Sequence, residues 1–150
     1  MFQLVRTTAE QADFIELVSE LDAFLAVTDG EEHAFYNQFN GIAGLQYVLV
    51  AYLEEEPIGC GAIKPWNATT MEVKRMYVRE DRRGNGYAKM ILAALEDWAK
   101  ELGAERCLLE TGARQVAAMA LYANAGYDLL LANYGQYVGV ENSRCFEKEL

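Results

Sequence analysis

Histidine is almost missing from this chain. Its 150 residues include one, His33, with only two prolines and three cysteines. His33 reads as an exposed, idle residue in a polar helix, and the absence of any other histidine then removes Ser-His-Asp triads and most zinc chemistry from consideration, so no metal is expected. Cys60, Cys107 and Cys145 are too few and too widely spaced for a disulfide framework or a zinc site. They read as buried thiols in a reducing cytoplasm. No apolar run approaches membrane-spanning length, and the N-terminus lacks a signal peptide's apolar stretch, so no membrane role is expected. Basic residues are scarce as well. Thirteen Lys and Arg stand against 23 Asp and Glu, a net charge of −10. That balance argues against nucleic acid as the partner and mildly favours a cationic substrate. Internal repeats, linkers and low-complexity tracts are also lacking.

What is present suits one globular domain over residues 1–150. A hydrophobic content of 52% excludes a disordered chain. Phe2 to Arg6 reads as a short first strand. Thr7 or Thr8 would cap a helix carrying Phe14, Ile15, Val18, Leu21, Phe24 and Leu25 at helical spacing, broken at Asp29-Gly30. Glu31 to Asn40 is expected as a short second helix with Phe35 and Phe39 on one side. Gln46 to Leu53 is the strongest strand signal. Glu54 to Pro57 then turns it back into Ile58–Ile63, where Gly59 and Gly61 mark the close approach of another backbone or a ligand.

The chain is organised around Met71 to Leu92. Met71 and Val73, then Met76 and Val78, alternate with polar residues, and the alternation slips by one at Lys74-Arg75, as a β-bulge would cause. After a basic turn, Ile91, Leu95, Trp98 and Leu102 form the apolar stripe of a helix that stops at Gly103. Arg82-Arg83-Gly84-Asn85-Gly86 opens that helix. Its first N–H groups lack intrahelical partners and carry partial positive charge, which makes an anion site. Gly84 and Gly86 leave the backbone uncovered, and two arginines suit phosphate oxygens. A glycine-rich turn with solvated arginines is the ordinary alternative. The spacing fits neither the Walker loop nor the dinucleotide fingerprint.

Beyond it, Arg106 to Thr111 reads as a strand parallel to the one before the helix. Gln115 to Ala125 reads as a helix closing at Gly126, and Tyr127–Leu130 and Arg144–Glu147 as the last two strands. The loop between them, Ala132 to Asn142, holds Tyr134, Gly135 and Tyr137.

Arg83-Gly84-Asn85-Gly86-Tyr87-Ala88 resembles the [Q/R]-x-x-G-x-[G/A] signature of the GNAT superfamily of N-acetyltransferases. Leu109-Glu110-Thr111, Gln115, Ala118 and Leu121-Tyr122-x-x-x-Gly126-Tyr127 resemble that family's later segment. The likeness runs from about Tyr47 to Leu150. It implies an α/β (α+β) fold with a mixed, mostly antiparallel central sheet of six to seven strands, a parallel pair of fourth and fifth strands, and flanking helices. It also implies acetyl-coenzyme A as cosubstrate, with no metal. Its pyrophosphate would lie on Arg82, Arg83, Gly84, Asn85, Gly86, Tyr87, Ala88 and Lys89, and its pantetheine arm along Met76, Tyr77 and Val78. Gln115 stands where many members have an asparagine that contacts that arm. A bulge would free backbone N–H groups for the charge that builds on the thioester oxygen, and Met76 and Val78 are the positions that resemble the family's donors.

Tyr122 matches the family's general acid, with a core aromatic as the plain alternative. For the base, Glu72 occupies a position where some members carry a glutamate, and Glu110 on the next strand is the runner-up. The ordinary reading of Glu72 is a partner for Lys74 or Arg75, or a solvated strand edge. The implied activity is acetyl transfer to a primary amine of a small molecule, amino acid or protein, by direct attack in a ternary complex. A non-catalytic acyl-coenzyme A sensor is the alternative. A homodimer is common among such folds.

Overall fold

The computed structural model describes residues 1–37 and 41–150. Along the chain come β1 (Phe2–Thr7), α1 (Ala12–Asp29), α2 (His33–Asn37), β2 (Tyr47–Leu53), β3 (Glu56–Asn67) and β4 (Thr70–Val78). Then follow α3 (Tyr87–Glu101), β5 (Arg106–Gly112), α4 (Val116–Asn124), β6 (Asp128–Leu129) and β7 (Ser143–Glu149). The strands form one seven-stranded sheet in the order β1-β2-β3-β4-β5-β7-β6. Every neighbouring pair is antiparallel except β4 and β5. The mixed sheet, the parallel pair and the flanking helices are those expected. Among the described residues, no helix is long and apolar enough to cross a membrane.

The unbroken apolar run of β2 is explained by helices on both faces of the sheet. Val48 and Val50 pack with Phe14, Leu17 and Val18 of α1, while Leu49 and Ala51 join Ile91, Leu92, Leu95 and Ala99 of α3. The α3 stripe differs from expectation at its end. Leu102 is 43% exposed, because the helix is already closing there and Gly103 takes φ +91°. Ile15 and Phe24 of α1 are likewise exposed.

Local boundaries moved where side chains outcompeted the expected signals. Thr7 stays in the sheet opposite Val48, so α1 is capped by Gln11, whose Oε1 accepts the Phe14 N–H at 2.8 Å. Glu54 and Glu55 both adopt positive φ, 50° and 68°. That is the two-residue hairpin turn that matches strand twist, and it puts Glu56 and Pro57 in β3 rather than in a longer turn. The sixth strand, Asp128–Leu129, is shorter than expected, although the Leu130 N–H still donates to the Cys145 carbonyl of β7 at 2.8 Å. The expectations for Phe39, Asn40 and the His33 side chain fall outside the described residues.

The predicted bulge is present. Cys60 pairs with Tyr77 and Ala62 with Lys74, so Arg75 and Met76 together oppose Gly61, and Arg75 takes φ +58°. Met71, Val73, Met76 and Val78 consequently all pack in the α3 core. Arg75 is turned under α1, its Nη2 2.5 Å from Asp22 Oδ1. The glycines of β3 admit this crowding, since a Cβ at Gly59 would stand 2.8 Å from the Tyr77 carbonyl oxygen, and one at Gly61 2.7 Å from Met76 Sδ.

Parallel pairing of β4 and β5 covers only Thr70–Arg106, Met71–Cys107 and Glu72–Leu108. Beyond Glu72, β5 stays with β7 through Gly112–Ser143, and no further β4 partner is found among the described residues. The sheet therefore opens into a notch there. All three cysteines are free and buried. Cys60 Sγ donates to the Arg75 carbonyl at 3.4 Å. Burial pushes the Cys60 thiol up to about 12 and those of Cys107 and Cys145 up to about 11.

Candidate active site

The glycine turn forms one end of the site. After a single 3-10 turn at Glu80–Arg82, Gly84 and Gly86 take φ +83° and +81°, and Gly86 caps α3. Asn85 Nδ2 ties the turn by donating to the carbonyls of Arg82 at 3.0 Å and Arg83 at 3.3 Å. Apart from the glycine and its immediate chain neighbours, no described atom lies within 4 Å of where a Cβ would stand at Gly84 or Gly86. The turn is open on its outer side, and the first N–H groups of α3 are without intrahelical acceptors. Arg82 reaches Glu56 Oε2 at 2.9 Å. Arg83 is anchored by its Nε, which donates to the Val78 carbonyl at 2.9 Å, and its guanidinium covers the rings of Phe24 and Tyr77. A shallow recess of about 190 Å³ brings Arg82, Gly86, Tyr87 and Lys89 together on the outer side.

From Arg83, Gly84 and Ala88 a larger cavity, about 390 Å³, runs past Met76, Tyr77 and Val78 into the notch and ends among Glu72, Lys74 and Glu110. Gln115, at the start of α4, borders it, and its Nε2 is buried without a hydrogen-bond partner among the described residues. Tyr122 of α4 also lines it. Its ring packs on Tyr127 and Phe146, and burial raises the pKa of its hydroxyl, which keeps the proton at neutral pH.

The far end holds the two expected carboxylates in different surroundings. Glu72 is 4% exposed, not on a solvated edge. Its Oε2 accepts the Tyr134 hydroxyl at 2.6 Å, and its Oε1 lies 3.8 Å from Lys74 Nζ. Glu110 accepts the Ser143 hydroxyl at 2.7 Å. Burial pushes the Glu110 carboxyl up to about 7, while Ser143 and Lys74 pull in the opposite direction. Burial lowers the pKa of Lys74, against the pull of Glu72 and Glu110.

Five residues here escaped sequence reasoning as site residues: Tyr36, Lys74, Tyr134, Tyr137 and Ser143. The Tyr36 hydroxyl lies 3.0 Å from Ser143 Oγ. Tyr134 leans on Trp66, ring centres 5.1 Å apart. Asn133 gathers this loop by donating to the carbonyls of Tyr137, Val140 and Ser143. The available signal was the cluster of tyrosines between residues 134 and 137. Among the described residues no group of three His, Cys, Asp or Glu is placed to hold a metal.

Comparison with known proteins agrees with this geometry. The profile described as "Acetyltransferase (GNAT) family" matches residues 12–127. An IAA acetyltransferase of Azospirillum brasilense is 31% identical over 132 residues, covering 83% of this chain and 82% of that protein. A solved structure from Klebsiella pneumoniae, provisionally described as an acyl-CoA N-acyltransferase, superposes with a TM-score of 0.84 at 29% identity over 100% of this chain and 98% of its own. A GNAT family acetyltransferase from Elizabethkingia anophelis, solved with acetyl-CoA bound, shares the fold with a TM-score of 0.69 at 20% identity over 99% and 98% of the two chains.

Proposed function

The chain belongs to the acetyltransferase (GNAT) family, and we propose that acetyl-coenzyme A lies along its cavity and gives its acetyl group to a small primary amine in one ternary complex. The observation that carries this reading is the unbroken cavity from the glycine turn, through the notch between β4 and β5, to Glu110. The residues present fit the coenzyme. The exposed start of α3 with Arg83 suits a pyrophosphate. The unpaired Gln115 Nε2 offers a donor to the pantetheine arm. The edge of β4 beyond Glu72 offers backbone groups to its amides, as an added strand would use them.

In the reaction the amine nitrogen attacks the thioester carbonyl. Backbone N–H groups at Met76 and Val78 meet the charge that develops on the oxygen. Tyr122, protonated at neutral pH, gives its proton to the departing thiolate. Of the two carboxylates we assign the base to Glu110, since a carboxyl poised near 7 can take a proton from an ammonium and release it to solvent. Glu72, held by Tyr134 and facing Lys74, shapes the acceptor end instead. The buried free thiols support a reducing compartment such as the cytoplasm.

A non-catalytic acyl-coenzyme A sensor needs the turn and the channel, but neither a proton donor nor an acceptor inside. The presence of both Tyr122 and Glu110 on one cavity supports the enzyme. The test is thiol release from acetyl-coenzyme A across a panel of primary amines. Tight coenzyme binding with no amine-dependent release would favour the sensor.

A further inference from the structure

Burial works against the charged form of Glu110, and so do Asp29 of α1 and Glu72 of β4. Ser143 is the strongest group favouring that form, ahead of Lys74. Tyr122 of α4, Tyr137 of the loop before β7 and Cys145 of β7 also feel the charge. Whatever holds the Ser143 hydroxyl therefore bears on Glu110.

A file of hydrogen bonds leads from Glu110 to α2. Ser143 Oγ lies 2.7 Å from Glu110 Oε2, the Tyr36 hydroxyl 3.0 Å from Ser143 Oγ, and Asn142 Nδ2 3.2 Å from the Tyr36 hydroxyl oxygen. A carboxylate only accepts, so Ser143 gives its single proton to charged Glu110. Its oxygen must then accept from Tyr36, whose own oxygen accepts from Asn142. Every bond points the same way. Protonated Glu110 would reverse the file, and Ser143 would have to donate to a phenol oxygen already taken by Asn142. Tyr36 is 4% exposed, and burial raises the pKa of its hydroxyl, so it stays a donor. A helix of five residues does not fix a side chain by itself. Arg114, just beyond β5, secures the segment by donating to the Asp29 carbonyl at 2.9 Å and to Glu32 Oε1 at 3.0 Å.

We propose that Tyr36 is a positioning residue for the base: its hydroxyl fixes Ser143 as a donor to Glu110, so that α2 governs how readily Glu110 accepts a proton. This rests on the reading of Glu110 as the base. Tyr36 acts through Ser143 and takes no proton itself.

Carboxyl-carbon NMR of the full chain labelled in glutamate tests it without coenzyme or amine, the Glu110 signal being the one lost in Glu110→Gln. Tyr36→Phe keeps the ring and removes the hydroxyl. It should raise the Glu110 titration midpoint by about 0.3–1 pH unit. Ser143→Ala should raise it at least as far, and adding Tyr36→Phe to Ser143→Ala should move it no further. A midpoint unmoved in Tyr36→Phe, or shifts that simply add, would overturn the inference and leave the base assignment standing. In turnover of any amine that the enzyme acetylates, Tyr36→Phe should lower kcat/KM about 2–10-fold on the acidic limb and hardly at all above it. An equal loss at every pH would mean a packing role and overturn the inference. An acidic limb that persists in Glu110→Gln would instead overturn the base assignment, and with it the catalytic meaning of the file, whatever the resonance does.

Discussion

Ser143 donates its hydroxyl to Glu110 Oε2 at 2.7 Å, across the antiparallel pair of β7 and β5. The bond lies where β5 has already parted from β4, so it orients a carboxylate that no strand partner on that side restrains. It also favours the charged form of Glu110 against burial, which pushes the group the other way.

Activity should therefore rise with pH through about 7, as Glu110 loses its proton and becomes able to accept one. Glu110→Gln should abolish this acidic limb of the pH profile of kcat/KM, with coenzyme affinity unchanged by calorimetry. Ser143→Ala should move the limb to higher pH, because the bond that favours the carboxylate is lost. A limb that survives in Glu110→Gln would move the base to Glu72 or to ordered water.

The same group makes a stability prediction of definite sign. Its folded pKa of about 7 lies above the ordinary carboxylate value, so between the two the folded state holds the proton more tightly. Stability should fall as pH rises from about 4.3 to 7 and level off above, by an amount on the order of 3 kcal/mol. Glu110→Gln should remove that decline and unfold at higher denaturant than the parent at pH 8. Denaturation midpoints at pH 5 and pH 8 check it.

Tyr122→Phe keeps the ring against Tyr127 and Phe146 and deletes only the hydroxyl. If that hydroxyl protonates the departing thiolate, kcat should drop by about 10²–10⁴-fold with little change in KM. Unchanged turnover would return Tyr122 to a packing role.

Gly86, at φ +81° with open space where a Cβ would stand, separates strain from charge. Gly86→Ala adds left-handed strain of about 1–2 kcal/mol, and coenzyme affinity should change only a few-fold. Gly86→Glu carries the same strain and puts a negative charge at the end of α3. Its coenzyme affinity should weaken at least about tenfold, more so at low salt. Equal losses in the two variants would mean that no anion binds there.

Much of the framework was legible because it is written locally. The slip of alternation at Lys74-Arg75 foretold the bulge, and Gly103 and Gly126 foretold two helix ends by needing positive φ. Gly59 foretold the close approach of the Tyr77 backbone. The far end of the cavity was not written this way. Glu110 is held from 33 residues away, Glu72 from 62, and Ser143 by a tyrosine 107 residues distant. Those partners meet only because β7 inserts between β5 and β6, and no periodicity encodes that. The capping of α1 by Gln11 was missed for the opposite reason. Thr7 and Thr8 are stronger cap formers, but the first of them was claimed by the sheet.

The three sequestered thiols give the molecule a built-in clock. Each is buried and too weakly acidic to form thiolate at neutral pH, so a chromogenic disulfide reagent should ignore the native protein. Coenzyme release can then be followed continuously with that reagent, with no protein background to subtract. When the same reagent does begin to consume thiols, it is timing the opening of the sheet. Cys60 on β3, Cys107 on β5 and Cys145 on β7 mark three separate strands. The order in which they are labelled would show which side of the notch comes apart first.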